Sequence, residues 1–274
     1  NTWDTRASTL VAVESGASLV SIGTGDTLYA LGGAFTPNFW RYSIKNNAWD
    51  SRAATPAGVE WGGALVYPGS GDTIYAFRGN TSTNFWAYSI TNNTWETKAS
   101  APGTVNGGGS LVYPGSGDTI YAFRGNTTTD FWAYPITNDT WVTRAAAPAA
   151  VFGGGSLVYP GTGDTIYAFG GNNTSSSFWA YSIANNTWET KAASPLSVDG
   201  GGALVYPGSG DTIYAFRGNT SNAFWGYSIT NNAWTPMAVA PAPVIWGGAL
   251  VYPGSGDTIY ALRGNTTNNF WAYT

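Results

Sequence analysis

The chain of 274 residues contains 11 Lys or Arg, 15 Asp or Glu, no His and no Cys, and charged residues make up 9% of it. The absence of His and Cys excludes Ser-His-Asp and Cys-His catalysis, thiolate or imidazole metal sites and disulfides. The formal net charge of −4 argues against a nucleic-acid partner, and the aromatic content of 16% argues against disorder. We therefore expect a folded protein without a metal site or cofactor.

One sequence unit is repeated six times along the chain. Two tryptophan series and one aspartate series recur every 46 residues, with a single interval of 47. The first tryptophan series is Trp3, Trp49, Trp95, Trp141, Trp188 and Trp234. The second is Trp40, Trp86, Trp132, Trp179, Trp225 and Trp271. The extra residue falls in the stretch 172–177, which indicates a loop insertion. A fixed period of this length is typical of repeat architectures.

Each unit reads as four short strands separated by turns. Apolar, β-branched and aromatic runs alternate with clusters of Gly, Pro, Asn and Ser, and no helical periodicity interrupts them. In the second copy the runs are 63–67, 73–77, 85–90 and 95–98. The pattern predicts one antiparallel four-stranded sheet per unit.

Six such sheets predict an all-β fold, a six-bladed β-propeller that forms a single domain over residues 1–274. The sequence begins on a fourth strand at Trp3 and ends after a third strand at Trp271. We therefore expect the N-terminal strand to complete the last blade, in a 3+1 arrangement that closes the ring.

The unit resembles a kelch repeat. Its apolar strand carries Tyr167, which is followed three residues later by the pair Gly170-Gly171 and then by Tyr181 and Trp188. The resemblance covers all six copies and implies a propeller that commonly binds other proteins. Some kelch-like propellers belong to secreted enzymes such as galactose oxidase, whose copper site uses His and a Cys–Tyr link. This chain lacks both residue types, so that activity is not implied.

An arginine replaces the first glycine of the pair in four copies. Each arginine ends a second strand beside the loop to the third strand. Two interpretations are open, namely structural bonds to carbonyls of the neighbouring blade, or a ring of forked donors suited to carboxylates or vicinal hydroxyls. The four residues are Arg78, Arg124, Arg217 and Arg263.

The connection from each fourth strand to the next blade varies most between copies. At one position it carries Glu14, Glu60 and Asp199, with Asn106, Phe152 and Ile245 in the other copies. The next position is Trp61 or Trp246 in two copies. In a propeller these connections share a face with the loops beside the arginines, so we expect all of them around the channel mouth. Tryptophan beside charged side chains is typical of a sugar site, and drift after duplication is the alternative.

The sequence therefore predicts a non-enzymatic recognition module that binds a glycan or a protein at this face, without a membrane span. Two alternatives stay open: a carbohydrate-active enzyme with a carboxylate pair drawn from Glu14, Glu60 and Asp199, or a structural repeat unit of a cell-surface assembly. Asn- and Thr-rich, Lys-poor repeats favour a secreted or cell-surface location in a prokaryote. The aspartate series is expected to stabilise its own turns through backbone N–H groups.

Overall fold

The computed structural model describes residues 1–23, 25–172 and 174–274, which form six antiparallel sheets of four strands. The chain starts with β1 (Trp3–Thr5). Blade 1 contains β2 (Ser18–Ser21), β3 (Thr27–Leu31), β4 (Phe39–Ser43) and β5 (Ala48–Ser51). Blade 2 contains β6 (Ala64–Val66), β7 (Thr73–Phe77), β8 (Phe85–Ser89) and β9 (Thr94–Thr97). Blade 3 contains β10 (Ser110–Val112), β11 (Thr119–Phe123), β12 (Phe131–Pro135) and β13 (Val142–Thr143).

The remaining strands repeat the same order. Blade 4 contains β14 (Ser156–Val158), β15 (Thr165–Phe169), β16 (Phe178–Ser182) and β17 (Thr187–Thr190). Blade 5 contains β18 (Ala203–Val205), β19 (Thr212–Phe216), β20 (Phe224–Ser228) and β21 (Ala233–Pro236). Blade 6 contains β22 (Ala249–Val251), β23 (Ile259–Leu262) and β24 (Phe270–Tyr273), joined by β1. No stretch of the described residues forms a helix that could cross a membrane. The predicted six-bladed propeller is confirmed.

The first and last strands of the chain close the ring. β1 pairs antiparallel with β24, so that Trp3 lies opposite Tyr273 and Thr5 opposite Trp271. Backbone hydrogen bonds between Thr2 and Thr274, 2.9 and 3.1 Å long, extend this pairing. The predicted 3+1 closure is confirmed. The predicted insertion lies between β15 and β16, where Asn173 is outside the described residues.

The same aromatic cluster fills the wedge between neighbouring blades. Between blades 2 and 3, the ring centroid of Phe85 lies 4.8 Å from that of Tyr134 and 4.9 Å from that of Trp141, both edge-on. Between blades 5 and 6, Phe224 has similar separations of 4.9 Å from Tyr273 and 5.0 Å from Trp3, which come from opposite ends of the chain. The cluster that contains both chain ends is thus packed like those within the continuous chain. Edge-on pairs of this kind add to the free energy gained by burying apolar area.

Asparagines in the turns before the fourth strands bridge the same interfaces. Asn93 has a φ of 55°, a left-handed conformation that Asn tolerates better than most residues. Its Oδ1 accepts the Tyr88 hydroxyl proton at 2.7 Å and the backbone N–H of Ala53 at 2.8 Å. Ala53 follows the outer strand of the preceding blade, and its carbonyl accepts the indole N–H of Trp95 at 2.9 Å. The second Asn of the recurring Asn-Asn pair therefore has a structural cause.

The turn aspartates bond differently from the prediction. Asp72 does not cap its own turn but accepts the Ser89 hydroxyl at 2.6 Å and the backbone N–H of Thr91 at 2.8 Å. Ser89 and Thr91 lie where the third strand ends, so the carboxylate joins two neighbouring turns of one blade. These bonds, led by that of Ser89, hold the pKa of Asp72 below its usual value.

A glycine-to-alanine comparison tests how tightly the blades interlock. Gly62 and Gly71 have almost equal φ values of 88° and 87°. A Cβ added to Gly62 would lie 2.7 Å from the carbonyl carbon of Asn106 in the next blade, whereas one added to Gly71 meets nothing within 4 Å. We expect both Ala variants to lose about 1 kcal/mol of unfolding free energy from the left-handed backbone, and Gly62→Ala to lose a further ~2 kcal/mol from overpacking. Urea denaturation measures both losses, and equal losses would contradict the interlock.

An alkaline titration tests the interior of the wedges. Burial raises the pKa of Tyr42, Tyr75 and Tyr181 to about 12, from the usual 10.0. A raised pKa contributes stability that is complete below pH 10 and is lost as the pH rises through about 12. We expect the tyrosinate absorbance of these residues to appear together with loss of the near-ultraviolet circular dichroism. Ionisation of all 17 tyrosines near pH 10 in a folded chain would refute this assignment.

Candidate functional site

Two tryptophans from different blades stack on each other at one mouth of the channel. Trp61 lies just before the first strand of blade 2, and Trp246 lies just before the first strand of blade 6. Their ring centroids are 5.1 Å apart with an interplanar angle of 10°. Phe152 of blade 4 approaches Trp61 edge-on at 6.5 Å. We call these three residues the aromatic surface. The structure thus brings together the two tryptophans that the sequence analysis selected, and adds Phe152.

Glycines of neighbouring blades leave room for these rings. A Cβ added to Gly200 would lie 2.7 Å from Cδ2 of Trp246, and one added to Gly107 would lie 3.3 Å from Cε2 of Phe152. The rings of Trp246 and Phe152 therefore lie directly over glycine backbone, which limits the positions that they can adopt. Below them, the two indoles and the glycine backbones of the six blades line a cavity of about 70 Å³.

The three predicted carboxylates have different environments. Glu60 is buried, and it accepts a short hydrogen bond from the Ser15 hydroxyl of blade 1. Glu14 is half-buried, and its side chain has no hydrogen bond or ion pair with the described residues. Asp199 borders the aromatic surface, because a Cβ on Gly153 would lie 2.7 Å from its Oδ1 and 3.2 Å from Cζ3 of Trp246. Glu60 therefore joins two blades, whereas Asp199 lies beside an indole.

The four arginines bond to the segments that connect one blade to the next. Arg124 donates from Nε to the Thr104 carbonyl at 3.0 Å and from Nη1 to Asp130 at 2.7 Å. The corresponding Nε bonds of the other three arginines are 3.0 or 3.1 Å long. Their acceptors are Gly58, Ser197 and Pro243. The carbonyls lie in the connection from the preceding blade, and the residue after Thr104 pairs with Ser82 of that blade. Each guanidinium, which is half-buried, thus ties this connection to the second strand of the blade that follows.

Phe35 is an exposed aromatic residue that the sequence analysis did not select. Its side chain is 64% exposed, and its backbone N–H donates to the carbonyl of Val59, the neighbour of Glu60, at 2.9 Å. Four other copies carry Thr at this position. A departure from a repeated Thr was therefore a usable signal, as was the single Phe at position 152. No group of three or more acidic residues in the described chain is placed to hold a metal ion.

Comparison with solved structures supports the fold. Among 1218 solved chains with a similar structure is one described as "Structure of YjhT". It matches with a TM-score of 0.71 and 12% sequence identity, over 98% of this chain and 95% of that chain. At this identity the similarity shows the propeller fold alone. No family model matches the sequence, and no curated protein matches it.

Circular dichroism can test the stacked pair in solution. Two parallel indoles at this distance couple their electronic transitions, which gives a circular dichroism signal. Replacing either indole removes this coupled signal. We expect Trp61→Phe and Trp246→Phe to give the same difference spectrum, and the double variant to add little to either. Phe35→Leu serves as a control that leaves the signal unchanged. Two unlike, additive difference spectra would show that the rings do not stack.

Proposed function

We propose that this protein is a kelch-type recognition module that binds a glycan on the aromatic surface. The kelch assignment is supported by the repeated Tyr, Gly-pair and Tyr–Trp pattern and by the propeller fold. A location at the outside of a prokaryotic cell, which the Asn- and Thr-rich repeats favour, gives such a module access to glycans. The Trp61–Trp246 stack is the observation that carries the proposal.

Trp61 is far more exposed than the tryptophans of the second series. Trp40, Trp86 and Trp132 are 3%, 2% and 3% exposed, whereas Trp61 is 36% exposed. A large apolar ring left open on a rigid frame commonly marks an interaction site. Because Gly200 and the partner ring hold Trp246, and the rings of Trp246 and Phe152 hold Trp61, little side-chain entropy remains to be lost on binding. A sugar places its apolar C–H face on such a ring.

The flanking carboxylates give the surface its polar component. Asp199 lies beside Trp246, and Glu14 makes no bond within the described chain, so both can accept hydrogen bonds from sugar hydroxyls. Glu60 is already bonded to Ser15 and supports the frame. This combination of stacking ring and acceptors favours a glycan over the protein partner that other kelch-like propellers bind.

A glycan array followed by calorimetry tests the proposal. We expect a bound glycan, and a loss of affinity of about tenfold or more for Trp61→Ala and Trp246→Ala, since truncating a central aromatic residue costs more than about 1 kcal/mol. Val142→Ala is the matched control. It removes an apolar side chain that is 42% exposed on the outer strand of blade 3.

Four results would count against the proposal. A blank array would refute glycan binding, and so would equal affinities of Trp61→Ala and Val142→Ala. Hydrolysis of a bound glycan that stops in Asp199→Asn would favour the enzyme alternative. A protein captured by the wild type but not by Trp61→Ala would replace the glycan with a protein partner.

A further inference from the structure

Tyrosines surround the opposite mouth of the channel. They line an open cavity of about 270 Å³, whose remaining wall consists of Leu and Val side chains from the innermost strands. All five are half-buried. They are Tyr67, Tyr113, Tyr159, Tyr206 and Tyr252. Blade 1 has Ser21 at the equivalent position, so the ring of tyrosines is interrupted once. We call this cavity the tyrosine cup.

Every hydroxyl proton of the cup is already used within the protein. Tyr67 donates to the Gly71 carbonyl at 2.9 Å, and the other four tyrosines donate to equivalent glycine carbonyls at 2.8, 2.9, 2.8 and 3.0 Å. The Ser21 hydroxyl donates to the Pro253 carbonyl at 2.9 Å. Since a phenol has one proton, these oxygens offer only lone pairs to a ligand. The ring faces are also electron-rich. These side chains therefore accept hydrogen bonds and do not donate them.

The tyrosine rings are held in place before any ligand arrives. A Cβ added to Gly69 would lie 3.5 Å from Cε1 of Tyr113, and one added to Gly115 would lie 3.3 Å from Cε1 of Tyr159. Each of these rings thus lies between its own turn and the turn of the preceding blade. Such preorganisation lowers the entropy that a ligand must overcome.

The turns at this end of the channel carry mostly negative charge. The turns between first and second strands carry six aspartates, and the neighbouring turns between third and fourth strands carry one lysine, Lys45. A seventh carboxylate there, Asp139, has Lys98 3.9 Å away. The six are Asp26, Asp72, Asp118, Asp164, Asp211 and Asp257. Burial raises the pKa of Tyr67, and the negative charge of Asp72 raises it further. The electric field of this aspartate therefore reaches a side chain of the cup.

We propose that the tyrosine cup binds an organic ammonium ion. Its N–H donors meet the phenolic oxygens and the ring faces, its alkyl part contacts the Leu and Val wall, and the six aspartates attract it from solution. The cup lies at the opposite end of the channel from the aromatic surface, so this site is independent of the glycan proposal.

Three probes of equal chain length test the proposal: n-butylammonium, n-butanol and butyrate. Titration of the full chain followed by nuclear magnetic resonance gives a dissociation constant for each. We expect n-butylammonium to bind about tenfold more tightly than n-butanol, a difference that shrinks as salt screens the aspartates, and butyrate not to bind. Equal binding of the amine and the alcohol would overturn the proposal.

Variants locate the site and separate its two components. Tyr113→Phe/Tyr206→Phe removes two acceptor oxygens and keeps the rings, while Asp118→Asn/Asp164→Asn removes two exposed charges. We expect each double variant to weaken n-butylammonium binding by about fivefold and to weaken n-butanol binding less, because only the amine carries a charge. If the tyrosine variant fails to fold, the aspartate variant still decides. Trp61→Ala should bind the amine like the wild type, and loss of binding in that variant, or full binding in both double variants, would refute the cup as the site.

Discussion

The packing of each blade against the next is the interaction on which the rest of the structure depends. A Phe held edge-on between the Tyr and Trp of the following blade sets the angle between two sheets, and six equal angles close a ring. The cluster around Phe224 shows this most clearly, because its ring separations of 4.9 and 5.0 Å are close to the 4.8 and 4.9 Å around Phe85 although its Tyr and Trp come from opposite ends of the chain. Closure then brings the first strands of all six blades around one narrow axis, and both channel mouths follow from that arrangement.

The six blades repeat almost the same sequence, so a chemically distinct site arises only where single blades carry a different residue. Trp61 and Trp246 belong to the two blades that flank blade 1. They meet because the channel mouth is narrow enough for an indole from one of these blades to reach an indole from the other. Glycines at positions such as 107 and 200 make this arrangement possible, since a side chain there would occupy the space of an aromatic ring. Blade 1 itself departs most, with Phe35 in place of Thr on one face and Ser21 in place of Tyr on the other.

The number of blades, their strand order and the 3+1 closure were predictable because repeat length and alternation are properties of the chain alone. The common location of Trp61 and Trp246 followed from topology, but their stacking did not, since ring orientation depends on glycines contributed by other blades. Glu60 looked equivalent to Glu14 and Asp199, yet a serine one blade away makes it a buried structural acceptor. The partners of Asp72 were likewise missed because they lie two strands further along the chain.

The uneven placement of charge gives the molecule a polarity along its channel. In the loops at the end that carries the aromatic surface, four carboxylates (Glu14, Glu60, Asp130 and Asp199) balance four arginines, whereas aspartates dominate the turns at the other end. This difference gives the protein an electric dipole parallel to the propeller axis. When the protein comes within about a Debye length of a charged surface, the field of that surface exerts a torque on the dipole. Close to an anionic surface the aspartate end turns away, and the tryptophan pair faces the surface before contact is made. The fold therefore selects the orientation of an encounter as well as its chemistry.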